Sequence, residues 1–283
     1  MDFSFFSHLI APFKEYLFMR RALVACIGIA LSSAPLGVIL IQRRMSLMGE
    51  ALSHGILPGI AIAYLIVGMW LPGLSIGGIL AGLTIAFLSN MAARKTVLNE
   101  DASFSSFYII ALAIGVLILS TQGGNMNLLH LLFGNVLAVD SGSLLFISVI
   151  SSLSLILLLL LYRPLIFDCF DQLFMRSQGL KSALYNTIFL ALVVCNLVAA
   201  CQALGTLMAL GMMMVPAVTA RLMLKRLFPM IIMSTFFAIL ASYIGLLLSY
   251  YLNWPSGPTI ILVAGGIYGV ALIREFLKQL IKI

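Results

Sequence analysis

Glu50 and His54 carry the clearest chemistry in this sequence, because of where they stand. Both fall in the stretch RRMSLMGEALSHGILPGIAIAY, which is apolar on either side of them. Four residues apart on a helix, they share one face. At the helical rise, Glu50 lies about 9 Å and His54 about 15 Å beyond Arg44. The second depth is close to the middle of a hydrocarbon core about 30 Å thick. An ionisable pair is expensive there and marks a pathway or site. A carboxylate beside a neutral imidazole suits a divalent transition metal. The same two groups could instead relay protons or hold each other in a structural hydrogen bond. Pro58 lacks the N–H that would reach the His54 carbonyl, which leaves that oxygen beside the ring. Gly49, Gly55 and Gly59 keep side-chain bulk low around the pair.

Other polar or soft residues carry less. His130 sits near an outer mouth, where interfacial packing is the simpler role. His8 lies in the N-terminal tail and is given no role. Met212, Met213 and Met214 are consecutive and so face different sides of a helix, which reads as core packing. Pro216 reads as a kink. Cys26, Cys169, Cys195 and Cys201 show no C-x-x-C spacing and read as small apolar residues. The sequence contains no Walker loop and no H-E-x-x-H, so ATP binding of that kind and zinc-protease chemistry are not expected.

The elements that must hold Glu50 and His54 follow from composition. Of 283 residues, 63% are hydrophobic and 9% are charged, against about 25% charged in soluble domains. That excludes a cytosolic enzyme, a nucleic-acid binder and a disordered chain. The expected fold is all-α, a polytopic transmembrane helix bundle in one domain, 1–283. Apolar windows at 19–41, 50–70, 73–93, 104–121, 142–162, 184–202, 204–222, 229–252 and 257–273 give about nine spans. The sixth and seventh run together through CQALG, so eight is the alternative. The N-terminus has interrupting charges and does not read as a signal peptide.

Charge sets the orientation. Arg43, Arg44, Arg94, Lys95, Arg163, Arg176, Lys181, Arg221, Lys225, Arg226, Arg274, Lys278 and Lys282 all fall on alternate connections, which the positive-inside rule puts in the cytoplasm. Lys14, Arg20 and Arg21 fall on the other side, where the later loops carry no basic residue. Residues 122–141 are read as a re-entrant or interfacial segment outside. Residues 163–183 are read as a short amphipathic helix inside, suited to docking a partner.

At RRMSLMGEALSHGILPG the chain resembles the permease subunits of zinc, manganese and iron importers of the ATP-binding cassette (ABC) class. LLFGNVLAVD, FDCFDQLFMRSQGL and ALGTLMALGMMMVPAVTARL fit the same family in the same order. The resemblance implies a type II ABC importer permease-like fold, similar to the cobalamin importer permease, in a bacterial cytoplasmic (inner) membrane. It implies a second copy of the chain around one pathway and a separate ATPase that docks on 168–179. Asp168, Phe170, Asp171, Phe174 and Gly179 are the expected docking residues. It also implies an extracytoplasmic metal-binding protein that delivers the ion. Glu50 and His54 map onto the family's metal-contacting residues, with Glu50 standing where most relatives have Asp. The cargo is then a divalent metal, zinc first and manganese next, with iron third; no cofactor is bound permanently and no nucleic acid is involved. A proton-coupled secondary metal carrier is the rival reading, and a membrane scaffold a further one.

Overall fold

In hydrocarbon a backbone amide finds no water, so each apolar stretch must close its hydrogen bonds along itself. The computed structural model describes residues 11–68, 70–96, 100–121, 136–170 and 182–281. Among them the elements are α1 (Leu17–Gln42), α2 (Ser46–Gly55), α3 (Leu57–Val67), α4 (Leu71–Lys95), α5 (Glu100–Thr121), a 3-10 turn at Val136–Ala138, α6 (Ser141–Phe170), α7 (Ser182–Leu204), α8 (Thr206–Met223), α9 (Leu227–Leu252) and α10 (Ser256–Ile281). No strand occurs among the described residues. Taken together as Ser46–Val67, α2 and α3 make one span, and nine spans are then long and apolar enough to cross a membrane.

Three sequence readings are refined here. The sixth and seventh windows are separate helices, parted at Gly205 alone, whose φ of 87° is a conformation that L side chains rarely adopt. The second window is broken at Ile56, with Pro58 in the first turn of α3. The expected separate helix from residue 163 is corrected: 163–170 continue α6 through Pro164 to Phe170, because the apolar run extends past the proline. Residues 171–181, and with them Asp171, Phe174 and Gly179, lie outside the described residues, as do His8, His130 and most of the 122–141 segment. Where that segment ends, Asp140 caps α6. Hydrogen bonds from the Ser143 side chain and amide, the latter at 2.8 Å, hold its carboxyl below the ordinary carboxylate range.

The chain divides into two compact units. One takes Met1–Val38, Leu129–Ser151 and Ala200–Ile283; the other takes Ile39–Leu128 and Ser152–Ala199. In the first, α8, α9 and α10 pack on one another. Met212 and Met213 are buried there, as expected for core residues, and the Ser242 hydroxyl reaches the Met212 sulfur at 3.6 Å. The Ser234 hydroxyl reaches from α9 to the Ala34 carbonyl of α1 at 3.4 Å.

In the second unit α3 lies against α4, and α5 packs on α2, α3 and α4. Lipid tails are as apolar as leucine, so the contact must come from close fit rather than from escape from water. Gly59 and Gly77 supply it: a Cβ built on Gly77 would sit 2.5 Å from the Gly59 carbonyl oxygen. Asn196 of α7 donates to the Ser154 hydroxyl of α6 at 2.6 Å and to its own helix at Leu192. These buried polar groups are thus answered within the bundle.

The glycine contact generates a test. Gly77→Ala should push α4 off α3 and cost about 1–3 kcal/mol. Gly265→Ala on α10 should cost nothing, since a Cβ there meets no atom within 4 Å. Thermal unfolding of the two variants in detergent separates them.

Candidate functional site

The site begins with a turn. α1 ends at Gln42, and α2 starts at Ser46. Arg44 has a φ of 60°, its amide reaches the Ile41 carbonyl at 3.1 Å, and the Met45 amide reaches that of Leu40 at 3.0 Å. That pair of bonds is the Schellman helix stop, with arginine where glycine is usual. The Met48 amide then bonds to the Met45 carbonyl at 3.2 Å. The turn therefore passes straight into the helix that carries Glu50 and His54.

On α2, Met48, Gly49, Ala51, Leu52, Ser53 and Gly55 are buried. Glu50 is exposed, His54 is half-buried and Leu47 is 56% exposed. The helix thus turns its apolar side into its own chain and its Glu–His side away from it. Because α2 starts at Ser46, Glu50 lies about 6 Å and His54 about 12 Å along its axis, somewhat shallower than a count from Arg44 suggests. Neither side chain makes a hydrogen bond or ion pair among the described residues. The Ser53 hydroxyl bonds to the Glu50 backbone oxygen at 2.9 Å, which leaves the carboxylate itself uncommitted.

One neighbour was not legible from the sequence. Tyr108 of α5 places its ring 6.4 Å from the His54 ring, at 30°. Its only signal was a phenol inside the apolar run SFYIIALA. At Pro58 the helical ladder is interrupted. The Ile56 amide reaches the Leu52 carbonyl at 3.1 Å and also faces that of His54, so the His54 oxygen is less open than expected. Gly115 of α5 lies against Pro58, where a Cβ would come within 3.0 Å of the proline nitrogen. A groove of about 630 Å³ starts at Pro58 between α3, α4 and α5. It is lined almost wholly by apolar side chains such as Ile62, Trp70 and Leu80, and it offers an ion nothing. No three of His, Cys, Asp and Glu converge among the described residues, so α2 carries two metal-type donors, Glu50 and His54.

The other sequence-predicted residues divide. Asp168 is 4% exposed, and its Oδ2 lies 2.8 Å from Arg43 Nη2. The reading of Asp168 as a surface contact for a partner is therefore corrected: its carboxylate is turned inward and engaged. Phe170 is the last residue of α6.

Nine apolar spans among the described residues, with an acid and an imidazole on the second, are those of a multi-pass membrane protein. Residues 15–275 match the ABC 3 transport family, and the chain belongs to that family. It is a transport subunit of the ABC class, in which a separate subunit hydrolyses ATP. It is 31% identical over 258 residues to the manganese import system permease protein ScaB of Streptococcus parasanguinis, with 91% of each chain covered. It is 32% identical over 257 residues to the manganese transport system membrane protein MntC of Listeria monocytogenes, covering 91% of this chain and 90% of that one. The solved structure of PsaBC from Streptococcus pneumoniae in complex with Fab is similar with a TM-score of 0.82 at 28% identity, over 94% of this chain and 95% of that one.

The turn before α2 yields the prediction of this section. A left-handed residue costs about 1–2 kcal/mol for an L side chain. Arg44→Gly should therefore leave the melting temperature unchanged or raised, whereas the β-branched Arg44→Val should lower it. Unfolding followed by tryptophan fluorescence checks both.

Proposed function

We propose that this chain is the membrane subunit of an ATP-driven importer that passes a divalent transition metal across a bacterial cytoplasmic membrane. Glu50 and His54 contact the ion during passage. The observation that carries the reading is the open face of α2. A carboxylate and an imidazole inside a membrane span are turned away from their own chain, and hydrocarbon is not an acceptable neighbour for either. A second copy related by a twofold axis would meet that face with the same two groups and double the donors.

The proposed cargo is manganese ahead of zinc, with iron third, which reverses the order expected from sequence. Two Glu and two His suit tetrahedral zinc if each carboxylate binds through one oxygen. Counted as bidentate, they supply six donors, four of them oxygen, which suits manganese. The similarity to relatives named for manganese supports that order. An extracytoplasmic binding protein delivers the ion. The ATPase docks on the inside loop through Phe170, Asp171, Phe174 and Gly179, whose aromatic and acidic side chains offer an apolar anchor with a polar rim.

Uptake by reconstituted complex is the test. Loss of groups that merely support metal ligands costs about 10–100-fold. Glu50→Gln and His54→Ala should therefore each lower uptake per folded complex by at least about tenfold. Normal uptake in Glu50→Gln ends the ligand assignment. In competition, manganese should displace zinc from transport at equal free concentration.

The docking residues have a test of their own. Replacing Asp171 and Phe174 together should abolish ATP-driven uptake while the two copies of the permease still assemble. Unchanged uptake would remove the docking assignment.

A further inference from the structure

Arg43 sits at the meeting of three helix ends. Its backbone follows Gln42, the last residue of α1, and stands just before the left-handed Arg44 of the Schellman turn. Its guanidinium places Nη2 2.8 Å from Asp168 Oδ2 and donates from Nη1 to Asn186 Oδ1 at 2.7 Å. Its Cζ lies 4.7 Å from the centre of the Phe189 ring. Asp168 stands two residues before the end of α6, and Asn186 stands in the second turn of α7. One side chain therefore grips both ends of the connection between α6 and α7.

The grip is out of water. The Arg43 and Asp168 side chains are 5% and 1% exposed. A buried ion pair is weak evidence for stability, because desolvating two charges offsets their attraction. Arg43 Nε and Nη2 make no hydrogen bond among the described residues, Nη2 meeting Asp168 as an ion pair, so the cluster is not arranged to satisfy the guanidinium fully. What a planar fork provides, and apolar packing does not, is fixed direction toward two acceptors at once. On its other side, the turn that contains Arg43 is joined to α2 by hydrogen bonds from the Met45 amide to the Leu40 carbonyl and from the Met48 amide to the Met45 carbonyl.

We propose that Arg43 is a positioning residue for transport: through Asp168 and Asn186 it ties the two ends of the α6–α7 connection to the turn that carries α2, so that movement at that connection is delivered to Glu50 and His54. This rests on the reading that the ATPase docks on that connection. A shift of either helix end pulls the guanidinium, the turn is too short and too well bonded to absorb it, and α2 follows.

Arg43→Met combined with Asp168→Leu removes the fork without leaving a buried charge, so the fold is retained. In vesicles holding this permease with its ATPase, manganese uptake and phosphate release are measured together. ATP hydrolysis should continue, while uptake per ATP falls at least about fivefold, the lower end of usual coupling between sites. An unchanged ratio overturns the proposal. Should the double variant not assemble, Arg43→Lys keeps the charge beside Asp168 but cannot bridge to Asn186. It should lower the same ratio, and a normal ratio there overturns the proposal equally. Cross-linking from Asp171→Cys in an otherwise wild-type permease tests the docking separately. No adduct with the ATPase removes the docking reading and the proposal with it. An adduct together with normal coupling in the variants removes only the role of Arg43.

Discussion

Everything in this protein answers to one constraint: a polar group inside hydrocarbon must have a partner, because water is not there to serve. The bundle meets it in two ways. Most polar groups are answered by a near neighbour. Serine and threonine hydroxyls on the spans turn back to carbonyls of their own helix, as Ser148 does to Leu144 and Thr235 to Ile231. Asn196 bonds to Ser154, and Arg43 to Asp168 and Asn186. Glu50 and His54 differ: their side chains make no hydrogen bond or ion pair among the described residues.

That contrast separates structural polarity from functional polarity. Arg43 and Asp168 are charged and buried, and they are paired inside one unit of the chain. Each charge of the pair has its counter-charge within that unit. Glu50 and His54 are ionisable and turned outward, and their face of α2 is incomplete. On the reading proposed above, that face meets the ion as it passes.

The way α2 is held matters as much as what it carries. It is a short helix, bounded by a left-handed arginine at one end and by the Ile56–Pro58 interruption at the other. Its apolar side is wedged in its unit. Gly55, close below Ile85, leaves no room for a side chain there, since a Cβ would come within 2.8 Å of the Ile85 methyl.

The sequence by itself determined the class of fold. Apolar windows of bilayer length and the alternation of Lys and Arg across connections are properties of one-dimensional order, and they located nine spans and singled out Glu50 and His54 as a pair on one face. The helical repeat alone puts residues four apart together. What the tertiary structure decided were relations between segments far apart in the chain. That Asp168 turns inward to Arg43 could not be read from a loop-like run of Phe and Asp, because its partner lies 125 residues away (168 − 43). The Tyr108 ring beside His54, the unbroken passage of α6 through Pro164 and the left-handed turn at Arg44 were hidden for the same reason. Local pattern reports what a residue prefers. Only packing decides which residue from another helix meets it, and in a membrane that choice is made by shape and polar pairing rather than by hydrophobicity, which every span shares.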